Sequence, residues 1–260
     1  MPGAGRFRSQ GMVVARDLVK VFPSPDGRPI RAVSGVDLNI AAGEIYGLLG
    51  PNGAGKTTTL RLLSGMMLPT SGRAWLNGHD ITTNLQKAKQ QIGLLTANTG
   101  LYPRLTPREA LVFFAEMNGI ERQAAQQRAC ELIDWLDMGG FSDLRCGALS
   151  TGQRQRVNIA RCVVADPPIL ILDEPTLGLD VLSNRIILAF IHRERDAGKT
   201  VLLSTHYLHE AEDMCTRIGL LHEGRLVAEG SMEELRVRSG EQRLTEVFLK
   251  LIGAAPTVLQ

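Results

Sequence analysis

The sequence predicts an α/β fold. A parallel sheet is wrapped by helices, an antiparallel β-subdomain precedes it, and an α-helical subdomain is inserted into it. Three observations carry that prediction. Residues 44–49, 169–172 and 201–205 are short, nearly uninterrupted apolar runs, the pattern of strands buried on both faces. Residues 13–21 and 33–40 alternate apolar and polar side chains instead, as half-buried antiparallel strands do. Residues 97–165 carry helix periodicity and helix start signals.

The chain has 260 residues, a formal charge of +2 and an apolar fraction of 44 %. That length suits one large domain with an insertion. The balanced charge offers no field for non-specific nucleic-acid binding, so no nucleic-acid partner is expected. Residues 1–11 lack an apolar signal core and are expected as a disordered tail. No stretch approaches the roughly 18 uninterrupted apolar residues of a membrane span. The chain is therefore expected in the cytoplasm, reaching a membrane only through another chain. Cys130, Cys146, Cys162 and Cys215 form no C-x-x-C pair and are expected as reduced packing residues. His206 and His209 lack the further ligands that a zinc site needs.

The elements follow in order. Pro23, Pro25, Gly27 and Pro29 punctuate the hairpin between the two alternating strands. The run 44–49 ends in a glycine-rich loop, and a helix over 56–66 follows it. Thr106-Pro107-Arg108-Glu109 is a capping box with proline at the first helical position. Leu111, Phe114, Ala115 and Met117 give that helix an apolar face, and Gly119 ends it. The next helix, 121–137, repeats Ala125, Ala129, Leu132, Ile133 and Leu136 at spacings of three and four. Pro167-Pro168 introduces the strand 169–172. Residues 218–221 and 225–228 read as a hairpin around Glu223-Gly224. Ser231 to Glu234 opens a C-terminal helix, and Leu244, Val247, Phe248, Leu251 and Ile252 form a last amphipathic one. The expected division is a core over 12–230, with its helical subdomain over 97–165, and a helical extension over 231–260.

Chemistry concentrates at two strand ends. Gly50-Pro51-Asn52-Gly53-Ala54-Gly55-Lys56-Thr57, continued by Thr58, fits G-x-x-x-x-G-K-[ST] between a predicted strand and a predicted helix. Glycines let backbone N–H groups curl around phosphate oxygens, and a helix N-terminus adds favourable partial charge. Lys56 would reach the β- and γ-phosphates of ATP, and the Thr57 hydroxyl would hold Mg²⁺. Asp173 and Glu174 close the apolar strand 169–172, where ligands of doubly wound sheets bind. Asp173 would face the Mg²⁺ shell, and Glu174 would orient an attacking water. These motifs predict a P-loop NTPase.

A third element narrows the class. Leu149-Ser150-Thr151-Gly152-Gln153 closely resembles the LSGGQ signature of ABC ATPases, with Thr151 in place of one glycine. Ser150 is an N-cap candidate that would present a second helix N-terminus to an anion. Leu177-Gly178-Leu179-Asp180 is similar to the D-loop of that family, Ser204-Thr205-His206 to its switch histidine, and Phe22 to the aromatic that stacks on adenine. The resemblance runs from about residue 12 to 230.

It implies a head-to-tail pair of ATPase subunits. Each ATP would lie between the Lys56 loop of one copy and Ser150, Gly152 and Gln153 of the other, with Asp180 nearby and His206 sensing the γ-phosphate. It also implies a separately encoded membrane permease as partner. One departure stands out. The family's glutamine after the strand 92–96 is replaced here by Ala97, and the neighbouring Asn98 carries the same amide on a shorter stem. Residues 96–102, with Arg104, Leu105, Thr106 and Glu109 after them, resemble the export branch that includes bacterial sodium, drug and haem exporters, and residues 244–249 resemble its tail. The expected role is therefore an ATP-hydrolysing subunit of an exporter. The alternative is a soluble ABC ATPase of a cytoplasmic cofactor-assembly complex.

Overall fold

The computed structural model describes residues 11–23, 27–96 and 100–253. Two sheets organise it. The first is antiparallel, with spatial order β2-β1-β4-β5: β1 (Val13–Phe22), β2 (Ile30–Ile40), β4 (Ser71–Leu76) and β5 (His79–Asp80). The second has the order β10-β9-β3-β8-β7-β6: β3 (Ile45–Leu49), β6 (Ile92–Leu95), β7 (Ile169–Asp173), β8 (Thr200–Thr205), β9 (Arg217–His222) and β10 (Arg225–Gly230). Its pairings are parallel except for the β9–β10 hairpin.

The apolar runs behave as their composition requires. On β7, Leu170 and Leu172 join one core while Ile169 and Ile171 join another on the opposite face. On β8, Val201 and Leu203 face the first core and Leu202 the second. The first core is closed by α3 (Pro107–Met117), α4 (Arg122–Trp135), α5 (Thr151–Val163) and α6 (Val181–Asp196). The second is closed by α1 (Lys56–Leu63), the short α2 (Leu85–Lys89) and the antiparallel sheet. A strand sandwiched between two layers cannot show polar alternation, because neither face meets water. A third cluster packs Ile218 and Leu220 against α7 (Leu208–Met214), α8 (Met232–Ser239) and α9 (Leu244–Leu251).

The capping boxes at Thr106 and Ser231 form as the spacing predicts. Two helix ends differ. The helix expected over 56–66 stops at Leu63, because Gly65 turns into the left-handed region at φ 67°. The helix expected over 121–137 spans Arg122–Trp135, and Asp137 leaves it at φ 49° with its carbonyl accepting from Arg156 at 2.7 Å. The β4–β5 hairpin, α2, α6 and α7 escaped sequence reading. Of the tail expected over 1–11, residues 1–10 lie outside the described residues, as do 254–260 of the extension.

Among the described residues no helix is long and apolar enough to cross a membrane. The cysteines are free, but the packing expectation needs a correction at Cys130. It is exposed on α4 and accepts from the Arg108 guanidinium at 3.3 Å. Burial pushes the thiols of Cys162 and Cys215 up to about 12. At pH 8 iodoacetamide should therefore label Cys130 in the native protein and leave those two unlabelled until the chain unfolds, as peptide mapping would show.

One buried ion pair ties β8 to α6. Lys199, just before β8, meets Glu194 in the last turn of α6, and both side chains are buried. Lys199→Met should lower stability by about 3 kcal/mol, because it strands a buried carboxylate; urea unfolding measures it.

Candidate functional site: a phosphate-binding cleft at the strand ends

Parallel register builds the site. Leu48 pairs with Ser204, and Ser204 with Asp173, so β3, β8 and β7 end side by side. The loop after β3, the carboxylates after β7 and the histidine after β8 then share one edge. They enclose a cleft of about 470 Å³, lined by Pro51, Asn52, Gly53, Gly55, Lys56, Thr57, Thr58, Asp173, Glu174 and His206 from the expected set. Ala32 and Leu177 also line it and were missed, since nothing in their residue type marks them.

The loop is held by its own backbone. Ala54 N–H donates to Pro51 O at 3.1 Å, and Gly224 N–H to Ala54 O at 2.9 Å. Gly55 stands at φ 103°, where a Cβ would come within 2.4 Å of the Ala32 carbonyl oxygen. No side chain caps the first turn of α1. Its N–H groups therefore suit a phosphate as partner. The buried Lys56 ammonium donates to Gly50 O at 2.7 Å and lies 3.4 Å from Glu174 Oε1.

The acidic side is equally ordered. Asp173 Oδ1 accepts from the Ser204 hydroxyl at 2.6 Å and the Thr57 hydroxyl at 3.2 Å. Ser204 was read as part of a strand and of the switch-histidine stretch but given no role of its own, although a polar residue in so apolar a run was a signal. Glu174 sits at φ 51°, a left-handed conformation unusual for a side chain with a Cβ. Its N–H donates to the backbone and side-chain oxygens of Ser204, and its Oε2 lies 2.8 Å from His206 Nδ1.

Other expected residues form a second locus. Ser150 caps α5 through a complete capping box with Gln153. Asp180 caps α6; the Ser183 N–H and hydroxyl hold its carboxyl below the usual range. The two helix starts touch, since a Cβ on Gly152 would meet Ser183 Oγ at 2.5 Å. None of Ser150, Gly152, Gln153 and Asp180 lines the cleft. Phe22 stands half-buried at the end of β1 beneath the Lys20 ammonium, outside the cleft lining. Asn98, the expected substitute for the missing glutamine, lies outside the described residues, as does Ala97.

Gly55→Ala adds a methyl against a backbone carbonyl in a conformation that alanine resists. It should distort the loop and raise the Kd for ATP by at least about tenfold, as equilibrium nucleotide binding would show.

Comparison with known proteins agrees with this geometry. The family model described as ABC transporter matches residues 33–177. The chain is 40 % identical over 227 residues to the daunorubicin/doxorubicin resistance ATP-binding protein DrrA of Streptomyces peucetius, covering 87 % of this chain and 67 % of that one. It is 38 % identical over 203 residues to the Nod factor export ATP-binding protein I of Burkholderia orbicola, covering 78 % and 67 %. Among solved structures, the dimeric post-hydrolysis ATP-binding cassette MJ0796 bound to ADP and Pi superposes with a TM-score of 0.78 at 28 % identity, covering 85 % of this chain and 98 % of that one. The chain belongs to the ABC transporter family, on the side of its ATP-binding subunits.

Proposed function

We propose that two copies of this chain, or one copy and a paired subunit, hydrolyse ATP to drive small-molecule export through a separate membrane permease. The convergence of Lys56, Thr57, Asp173, Glu174 and His206 in one cleft carries the hydrolytic part. The resistance and export functions in the names of DrrA and the Nod factor protein support the export part and favour it over a cofactor-assembly role. The chain would sit on the inner face of the membrane, held there by the permease.

The residues divide the chemistry. Residues 50–58 cradle the phosphates, with Lys56 turning its charge toward the transferring group. Phe22 stacks on the adenine. Glu174 holds the attacking water and takes its proton, and His206, 2.8 Å away, keeps that carboxylate aimed. Magnesium fits the remaining groups: a hydroxyl and a carboxylate are hard oxygen donors, and this ion keeps waters and phosphates as its other ligands. Thr57 and Asp173 would hold it, and when bound it neutralises charge on the β- and γ-phosphates. Ser150, Gly152 and Gln153 of the opposite copy close over the γ-phosphate, with Asp180 at the seam. The pair reopens because the interactions that held it shut depend on the γ-phosphate and vanish with it.

Glu174→Gln keeps the shape and removes the base. It should lower turnover by about 10²–10⁴ while ATP is still bound, measured as phosphate release beside nucleotide binding. With magnesium and ATP the same variant should accumulate as a pair in light scattering. Full hydrolysis by Glu174→Gln would sink the assignment of the base.

A further inference from the structure

The carboxylate of Glu210 is buried in α7, four residues after His206, yet it lines no part of the cleft. Its two oxygens are taken by two different segments. Oε2 accepts from the Thr176 hydroxyl at 2.7 Å, two residues after Glu174. Oε1 accepts from the Asn184 amide at 2.7 Å, in the first turn of α6 that Asp180 caps. A carboxylate only accepts, so Asn184 must turn its NH₂ toward Glu210. Its own Oδ1 is left buried without a hydrogen-bond partner among the described residues. The Gln155 amide grips the same stretch from α5, donating to Pro175 O at 2.8 Å.

We propose that Glu210 is a positioning residue that keeps the His206 loop, the Glu174 loop and the start of α6 in fixed register, and so sets the rate of hydrolysis rather than the affinity for ATP. The inference rests on the hydrolytic reading above. The His206 and Glu174 side chains meet through one hydrogen bond, just beyond the Glu174 N–H bonds to Ser204 that join the strand ends. The Glu210–Thr176 bond is a further strut, beyond the strand ends, and the Glu210–Asn184 bond extends it to the helix carrying Asp180. Segment 176–184 is thereby anchored at both ends. A small displacement of a catalytic group is costly in rate, whereas the phosphate loop keeps its own supports.

The test is a charge-swap cycle in the full-length protein, with kcat and KM for ATP–Mg²⁺ and a melting curve for each variant. Asn184→Asp sets two carboxylates face to face and should lower kcat by about 10- to 100-fold with KM unchanged. Adding Glu210→Gln supplies an NH₂ to the new carboxylate and should restore most of the turnover. Glu210→Gln alone should be mild, since Asn184 can rotate its amide to meet it. Thr176→Val, which removes a donor at nearly constant volume, tests the other strut and should also lower kcat.

Unchanged kcat in Asn184→Asp, a shift in KM alone, or failure of Glu210→Gln to rescue a folded protein would overturn the proposal. If Asn184→Asp does not fold, undiminished turnover in Thr176→Val overturns it. Glu174→Gln is run alongside. Full activity there brings down the hydrolytic reading and this inference together; loss of activity there without rescue in the cycle removes Glu210 alone.

Discussion

The hydrogen bonds that converge on Asp173 Oδ1 are the constraint on which the cleft depends. Thr57 reaches it from the first turn of α1 and Ser204 from the last positions of β8. One buried oxygen therefore joins the phosphate loop to two strand ends. Burial makes that junction strict: a carboxylate this far from water needs its donors, and its donors must stay where they are. Ser204 passes the order on, since its two oxygens also accept from the Glu174 backbone. The position of the reactive carboxylate is thus inherited from the sheet.

Much of this was legible in the sequence, for physical reasons that differ by element. The phosphate loop could be read because a tight anion cradle demands glycines, a lysine and a hydroxyl at fixed spacing. Asp173 and Glu174 could be read because carboxylates at the end of an apolar run stand out. The capped start of α5 announced itself through Ser150, while its capping-box partner Gln153 was read only as part of the signature. Lys56, Thr57, Asp173, Glu174 and His206, separated by up to 150 positions along the chain, do meet in one cleft.

What escaped reading has causes of two kinds. Ala32 and Leu177 enter the lining only because a second sheet and a returning loop bring them there. Glu210 belongs to no motif that would mark it in the sequence, and only the fold turns it inward. α6 was overlooked although Ile187, Phe190 and Ile191 share one core, because the exposed Val181 and Leu182 blur its apolar face, and α7 because it is only 7 residues long. The end of α1 was misplaced by a glycine whose left-handed turn has no counterpart in hydrophobic periodicity. Long-range proximity is the missing information for the cleft lining and for Glu210, whereas the end of α1 is set by local turn chemistry.

The backbone of Glu174 has one more implication. A residue with a Cβ in the left-handed region carries about 1 kcal/mol or more of strain that glycine would not feel. Glycine would relieve that strain, but it would also remove the carboxylate beside the buried Lys56 ammonium and His206. The fold thus holds a reactive carboxylate on a strained backbone, and the same contacts that aim it offset the strain.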